Sequence, residues 1–177
     1  MGGPDMAPRS LDEGGEAPLE LPRAQRSGRP GEAVTALEAA LGHRFADPGL
    51  LERALTHASY VNEHPPGVSQ DGLAFVGDAA LGLVIAQRLL ARAPDAPVGV
   101  LTPARAAVVS GTNLARWAAA LGLGALVRLG RGEDQTGGRA RESILATTLE
   151  AVLGVLYLEA GLDAVRRAVD RLAQDTT

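Results

Sequence analysis

The chain has 177 residues with 46% apolar side chains, enough for one domain with a proper core. It contains no cysteine, which excludes disulfides and thiolate metal sites and fits a reducing compartment. The formal charge is −4 and all 17 basic residues are Arg, so the chain lacks the overall basic footprint usual in nucleic-acid binders. Aromatic residues are only 3%, which leaves Ala, Leu and Val to build the core and favours packed helices. No apolar run reaches the about eighteen residues needed to span a bilayer. The opening M-G-G-P-D-M-A-P-R-S has no apolar signal core. The expectation is a soluble, cytoplasmic protein without membrane contact.

Residues 1–31 are dense in Gly, Pro, Glu and Arg without periodicity, and are expected to be a disordered tail. Residues 32–177 form the expected domain. Beyond Ala33 the chain carries 13 Arg against 15 Asp and Glu, so the folded part is near neutral. A helix is expected from Glu32, with Ala33, Leu37, Ala40 and Leu41 on one face and Gly42 ending it. Asp47-Pro48 reads as an N-cap with Pro at the first helical position, and predicts a helix from Pro48 to about Ala58. Asn62 to Ser69 reads as a loop. A long helix follows from about Asp71 to Ala93, broken by Pro94 to Val100. Thr102-Pro103 repeats the cap-then-Pro signal for a helix to about Leu121. Gly122 to Arg141 reads as a Gly-rich connection with a short apolar piece. A helix is expected from Glu142 to Ala160, then Gly161, then a last helix from Leu162 to Ala173. The pattern predicts an all-α domain of six or seven helices, with no strand.

The helix expected from about Asp71 and the segment Ala146 to Leu158 look buried on most sides, and each holds one carboxylate in its apolar register, Asp78 and Glu150. An unpaired buried charge costs several kcal/mol, so each needs a partner, a metal or water. Two readings stand. Each acid forms a structural ion pair with an arginine such as Arg105 or Arg141, or the two share a divalent cation, which wants several oxygen ligands. His57 is a candidate base, although a lone His near a helix end more often caps or packs. Trp117 reads as core rather than a base-stacking platform. Arg139 and Arg141, in the Gly-rich connection, are candidate phosphate contacts.

Three blocks in order, L-T-H-A-S-Y (Leu55–Tyr60), G-L-A-F-V-G-D-A-A-L (Gly72–Leu81) and R-E-S-I-L-A-T-T-L-E-A-V-L-G (Arg141–Gly154), resemble the nuclease domain of bacterial ribonuclease III. S-G-T-N-L-A-R-W-A (Ser110–Ala118) matches between them, and the resemblance covers about residues 34–174. It implies an all-α, dimeric ribonuclease III endonuclease fold that cleaves double-stranded RNA with Mg²⁺ held by four carboxylates.

Matched position by position, the chain departs from the signatures E-R-L-E-F-L-G-D and S-I-L-A-D-x-x-E. Asp78 and Glu150 keep two metal ligands and are the implied catalytic residues. Ala74 and Thr147 stand at the two lost ligand positions, and Asp71 replaces the first Glu as a possible auxiliary acid. Val98 stands where a further acid precedes Gly99. The formal charge of the site falls from −4 to −2. Ala offers no ligand and Thr only a neutral oxygen, so Mg²⁺ or Mn²⁺ is expected to bind weakly or not at all. Phe75 matches the residue that packs into the partner subunit. No double-stranded-RNA-binding domain of the kind usual in the family is read before Thr177, so RNA affinity from such a module is expected to be missing.

Two functions follow as expectations. One is an RNA-processing endonuclease on double-stranded or structured RNA with weakened or lost activity. The other is an inactive, dimeric RNA-binding or ribosome-associated protein. Whether the chain is an enzyme stays open at this point.

Overall fold

Helix follows helix in the computed structural model, which describes residues 30–174. The elements are α1 (Pro30–Leu41), α2 (Pro48–Ala54), α3 (Ala58–Glu63), α4 (Asp71–Arg92), α5 (Val98–Val108), α6 (Gly111–Ala120), α7 (Leu123–Leu126), α8 (Arg131–Gln135), a 3-10 turn at Gly138–Ala140, and α9 (Glu142–Gln174). The all-α expectation holds; the only β feature among the described residues is an isolated parallel bridge between Thr56 and Arg128. The expected disordered tail, residues 1–31, lies outside the described residues except for Pro30 and Gly31, which begin α1.

The count is nine α-helices among the described residues rather than six or seven, and each extra helix has a local cause. The helix expected from Pro48 to Ala58 is two. Asp47 caps α2 as expected, its carboxylate accepting from the Gly49 and Leu50 amides. The helix then stops because Leu55 and His57 exchange backbone hydrogen bonds with Arg128, 2.7 and 3.1 Å. The helix expected from Thr102 begins earlier, at Val98, and takes Pro103 inside it. It also divides, because Ser110 caps a fresh start at α6 by accepting from the Asn113 amide. The Gly-rich connection folds into α7, α8 and the 3-10 turn.

The core is built around α9, which packs most extensively on α4 and next on α6. Residues Ala151 to Leu156 are all buried, so this part of α9 is surrounded on every side. Gly161 interrupts α9 with φ 72° and ψ −175°, a backbone only Gly adopts freely, and this is the break expected from the sequence. After it, Ala164, Val165, Ala168, Val169 and Leu172 return to the core. Trp117 is core as expected, 4% exposed.

Two helices, α4 and α9, are long and apolar enough to cross a membrane by length and composition, which corrects the expectation of no such run. In α9, 61% of that apolar window is buried inside the domain, so core packing accounts for its composition.

Candidate active site

The site rests on the crossing of α4 and α9. A Cβ added at Gly77 would overlap the Glu150 carbonyl oxygen, and one at Gly154 would overlap the Leu73 carbonyl oxygen. The two backbones therefore touch, and only glycine allows it at either position. This contact brings Glu150 on α9 beside the turn of α4 that carries Asp78.

The structure corrects the expectation that both acids are buried. Glu150 is half-buried, but Asp78 is exposed. The reason is the face of α4 that meets the core, which consists of Leu73, Ala74, Gly77, Ala80, Leu81, Val84 and Ile85 and leaves position 78 outside. Burial, and then the negative charge of Asp78, push the Glu150 carboxyl up to about 7. The two carboxylates are thus electrostatically coupled across the crossing. Among the described residues neither is in an ion pair with Arg105 or Arg141; Arg141 pairs with Glu133 instead.

The positions around them are chemically sparse. Ala74, one turn before Asp78, is 6% exposed and contributes a methyl group to the core. Thr147 is partly buried, one turn before Glu150. Asp71 is exposed in the first turn of α4, where its Oδ2 accepts from the Ser69 hydroxyl at 2.8 Å. Val98 is 76% exposed at the start of α5. Gln70 was not singled out by sequence reasoning, since a Gln before a helix is an ordinary residue. It is fully buried beneath this end of α4, its Oε1 accepting from the Thr148 hydroxyl at 3.2 Å. Its Nε2 is the one buried side-chain donor without a hydrogen bond among the described residues.

His57 is a cap: its side chain accepts from the Ser59 amide at the start of α3. Both arginines expected to contact phosphate are engaged by their own loop. Arg139 donates to the carbonyls of Gly124 (3.0 Å) and Val127 (2.9 Å) and to Asp134 (2.7 Å). Arg141 binds Glu133 and Thr136.

Phe75 stands on the same turn of α4 as Asp78 and is 79% exposed. Leu83 and Leu90 repeat along that helix, and Val98, Val100 and Leu158 are also exposed. Phe75, Leu83 and Leu90 thus leave apolar surface of α4 in solvent.

An all-helical domain with two coupled carboxylates at a glycine-glycine helix crossing is of the ribonuclease III nuclease type. The Ribonuclease-III-like family model matches residues 47–175, and the chain belongs to that family. Ribonuclease 3 of Syntrophobacter fumaroxidans is 46% identical over 146 residues, which covers 81% of this chain and 60% of the relative. Ribonuclease 3 of Streptomyces coelicolor is 45% identical over 157 residues, covering 89% and 56%. The nuclease domain of ribonuclease III from Campylobacter jejuni superposes with a TM-score of 0.75 at 34% identity, covering 80% of this chain and 96% of that one. That protein is described as structurally flexible in a region involved in dimer formation. The chain spans about 60% of the length of the first two curated relatives.

The family is generally magnesium-dependent. The residues here do not fit the four-carboxylate site that the family resemblance implies. Ala74 supplies no donor and Thr147 only a neutral oxygen. No group of three or more His, Asp or Glu side chains able to hold a metal occurs among the described residues. Burial and the Asp78 charge raise the Glu150 carboxyl, and a cation bound between the two acids would lower it again.

Proposed function

We propose that this chain engages double-stranded or structured RNA as a cytoplasmic homodimer, and that its metal-dependent cleavage is weakened or lost. The carrying observation is the pairing of Asp78 and Glu150 with Ala74 and Thr147, two carboxylates where the family motif has four. Metal ligands act as a unit, so halving the set lowers metal affinity and rate by orders of magnitude rather than by half. Asp78, Glu150 and an RNA phosphate oxygen then hold Mg²⁺ or Mn²⁺ weakly at most. Exposed Phe75 supports the homodimer, since an aromatic side chain in such a place is a typical interface anchor.

The second reading is the limiting case: an RNA-binding or ribosome-associated dimer with no chemistry. The burial of Ala74 favours it, because that position is now part of the hydrophobic core. The test separates binding from cleavage. The purified chain is expected to retard a long double-stranded RNA in a gel and to leave it intact with Mg²⁺ or Mn²⁺. Failure to bind structured RNA at low salt contradicts both readings. Cleavage that Asp78→Ala abolishes contradicts the loss of activity.

A further inference from the structure

Ten residues beyond Asp78 along α4, about 15 Å at the helical rise, a separate cavity of about 740 Å³ opens. It lies between the end of α4, the last turn of α5, the first turns of α6 and the end of α9. Three guanidinium groups line it, Arg88, Arg92 and Arg116, above an apolar floor that includes Ile85, Leu89 and Trp117. Its size and mixed lining are those of a small-ligand pocket.

Two of the three arginines, Arg92 and Arg116, have no carboxylate partner among the described residues. Arg88 pairs with Asp170, and burial followed by the charge of Arg92 pulls its pKa below the ordinary arginine value. Arg116 donates only to the neutral Asn113 Oδ1, at 2.6 Å. The nearby Glu142 accepts from Thr112 at 2.9 Å and takes none of the three. Like charges gathered around one concavity repel, and an anion relieves that repulsion. Guanidinium forks match phosphate oxygens, whereas the apolar floor asks for a body attached to the phosphate.

We propose that this cavity binds a phosphomonoester of nucleotide size. Its phosphate lies against Arg92 and Arg116, with Arg88 behind them, and its sugar or base lies against the partly exposed apolar side chains of Leu89 and Val108, with Trp117 packed beneath. This site is distinct from Asp78 and Glu150 and does not depend on whether RNA is cleaved. A free nucleotide and the 5′-phosphorylated end of an RNA share the required chemistry.

Trp117 is the only tryptophan in the chain, so its fluorescence reports on this cavity. The full chain would be titrated with adenosine 5′-monophosphate and with adenosine, with calorimetry in parallel to catch optically silent binding. The expected result is saturable binding of the monophosphate, at least about tenfold tighter than adenosine. The Arg92→Ala/Arg116→Ala double variant should weaken it about tenfold or more while keeping its thermal midpoint. Short duplex RNAs with 5′-phosphate or 5′-hydroxyl ends then compete. Displacement by the phosphorylated duplex alone assigns the site to an RNA end, and no displacement by either assigns it to a free nucleotide. Equal displacement by both duplexes overturns recognition of a phosphomonoester. So does an absence of saturable binding at millimolar nucleotide, equal affinity for adenosine, or undiminished binding by the double variant.

Discussion

Two glutamates on α9, Glu150 and Glu159, show what separates a carboxylate held for structure from one left over at a site. At Glu159, burial alone would raise the pKa, but it is outweighed by the hydrogen bond from His43 and by the backbone amides of Asp47 and Ala46, so the pKa is lowered. Those contacts measure 2.8, 2.9 and 3.0 Å, and they tie the loop between α1 and α2 to α9. At Glu150, burial and the nearby Asp78 charge act in the same direction and push the carboxyl up to about 7. Glu159 is surrounded by donors, whereas Glu150 has a second acid as its electrostatic neighbour. A residue kept only to stabilise the helix would have the first environment. The second is the environment of a carboxylate that shares a site with another acid.

The largest expected effect concerns the crossing that sets Glu150 against Asp78. Gly77→Ala forces a methyl group into the Glu150 backbone and should cost about 3 kcal/mol, read from urea unfolding. A loss under about 0.5 kcal/mol would mean that the helices separate easily, and the coupling of the two acids would lose its structural basis. Next is Phe75→Glu, which should shift the proposed dimer to monomer and raise the dissociation constant by at least about thirtyfold, roughly 2 kcal/mol. Sedimentation at graded concentrations checks it.

Glu159→Ala should cost about 2 kcal/mol, because it leaves two amides and His43 without their acceptor. A carboxyl with a lowered folded-state pKa contributes stability above its unfolded value, and that contribution is lost as the pH falls through the folded value. The deficit of Glu159→Ala should therefore shrink below about pH 4.5. Smallest, and opposite in sign, is Glu150→Gln. With a carboxyl raised from 4.5 to about 7, the folded chain binds more protons than the unfolded chain across that range. Stability from this group falls as the pH rises from 4.5 to 7 and is level above. In chelator, the thermal midpoint of Glu150→Gln should exceed that of the natural chain by a margin that grows over the same window. A margin independent of pH would place Glu150 among the structural carboxylates, with Glu159.

Much of this architecture was legible in the sequence where the signal is local. Asp47-Pro48 gives the start of α2 because the cap and the fixed φ of proline are properties of adjacent residues. Gly161 gives the break in α9 for the same reason. The break after α2 was not legible, because it comes from pairing of Leu55 and His57 with Arg128, far along the chain. Nor was the exposure of Asp78, since an apolar helix does not state which of its faces meets a partner. Motif spacing singled out Asp78 and Glu150, and the helix crossing brings the two acids together. The engagement of Arg139 and Arg141 by their own loop, and the buried Gln70 beneath the site, required coordinates.

The scaffold is that of a ribonuclease III domain, and the proposal is that Ala74 and Thr147 weaken or abolish its cleavage. The most direct measurement is cleavage of a long double-stranded RNA in Mg²⁺ or Mn²⁺ by the natural chain, by Ala74→Glu/Thr147→Asp, and by Asp78→Ala. The account predicts that the restored double variant cuts at least about 100-fold faster than the natural chain. The contradicting result is a natural chain that cuts as fast as the restored one and loses that activity with Asp78→Ala, for then two carboxylates suffice.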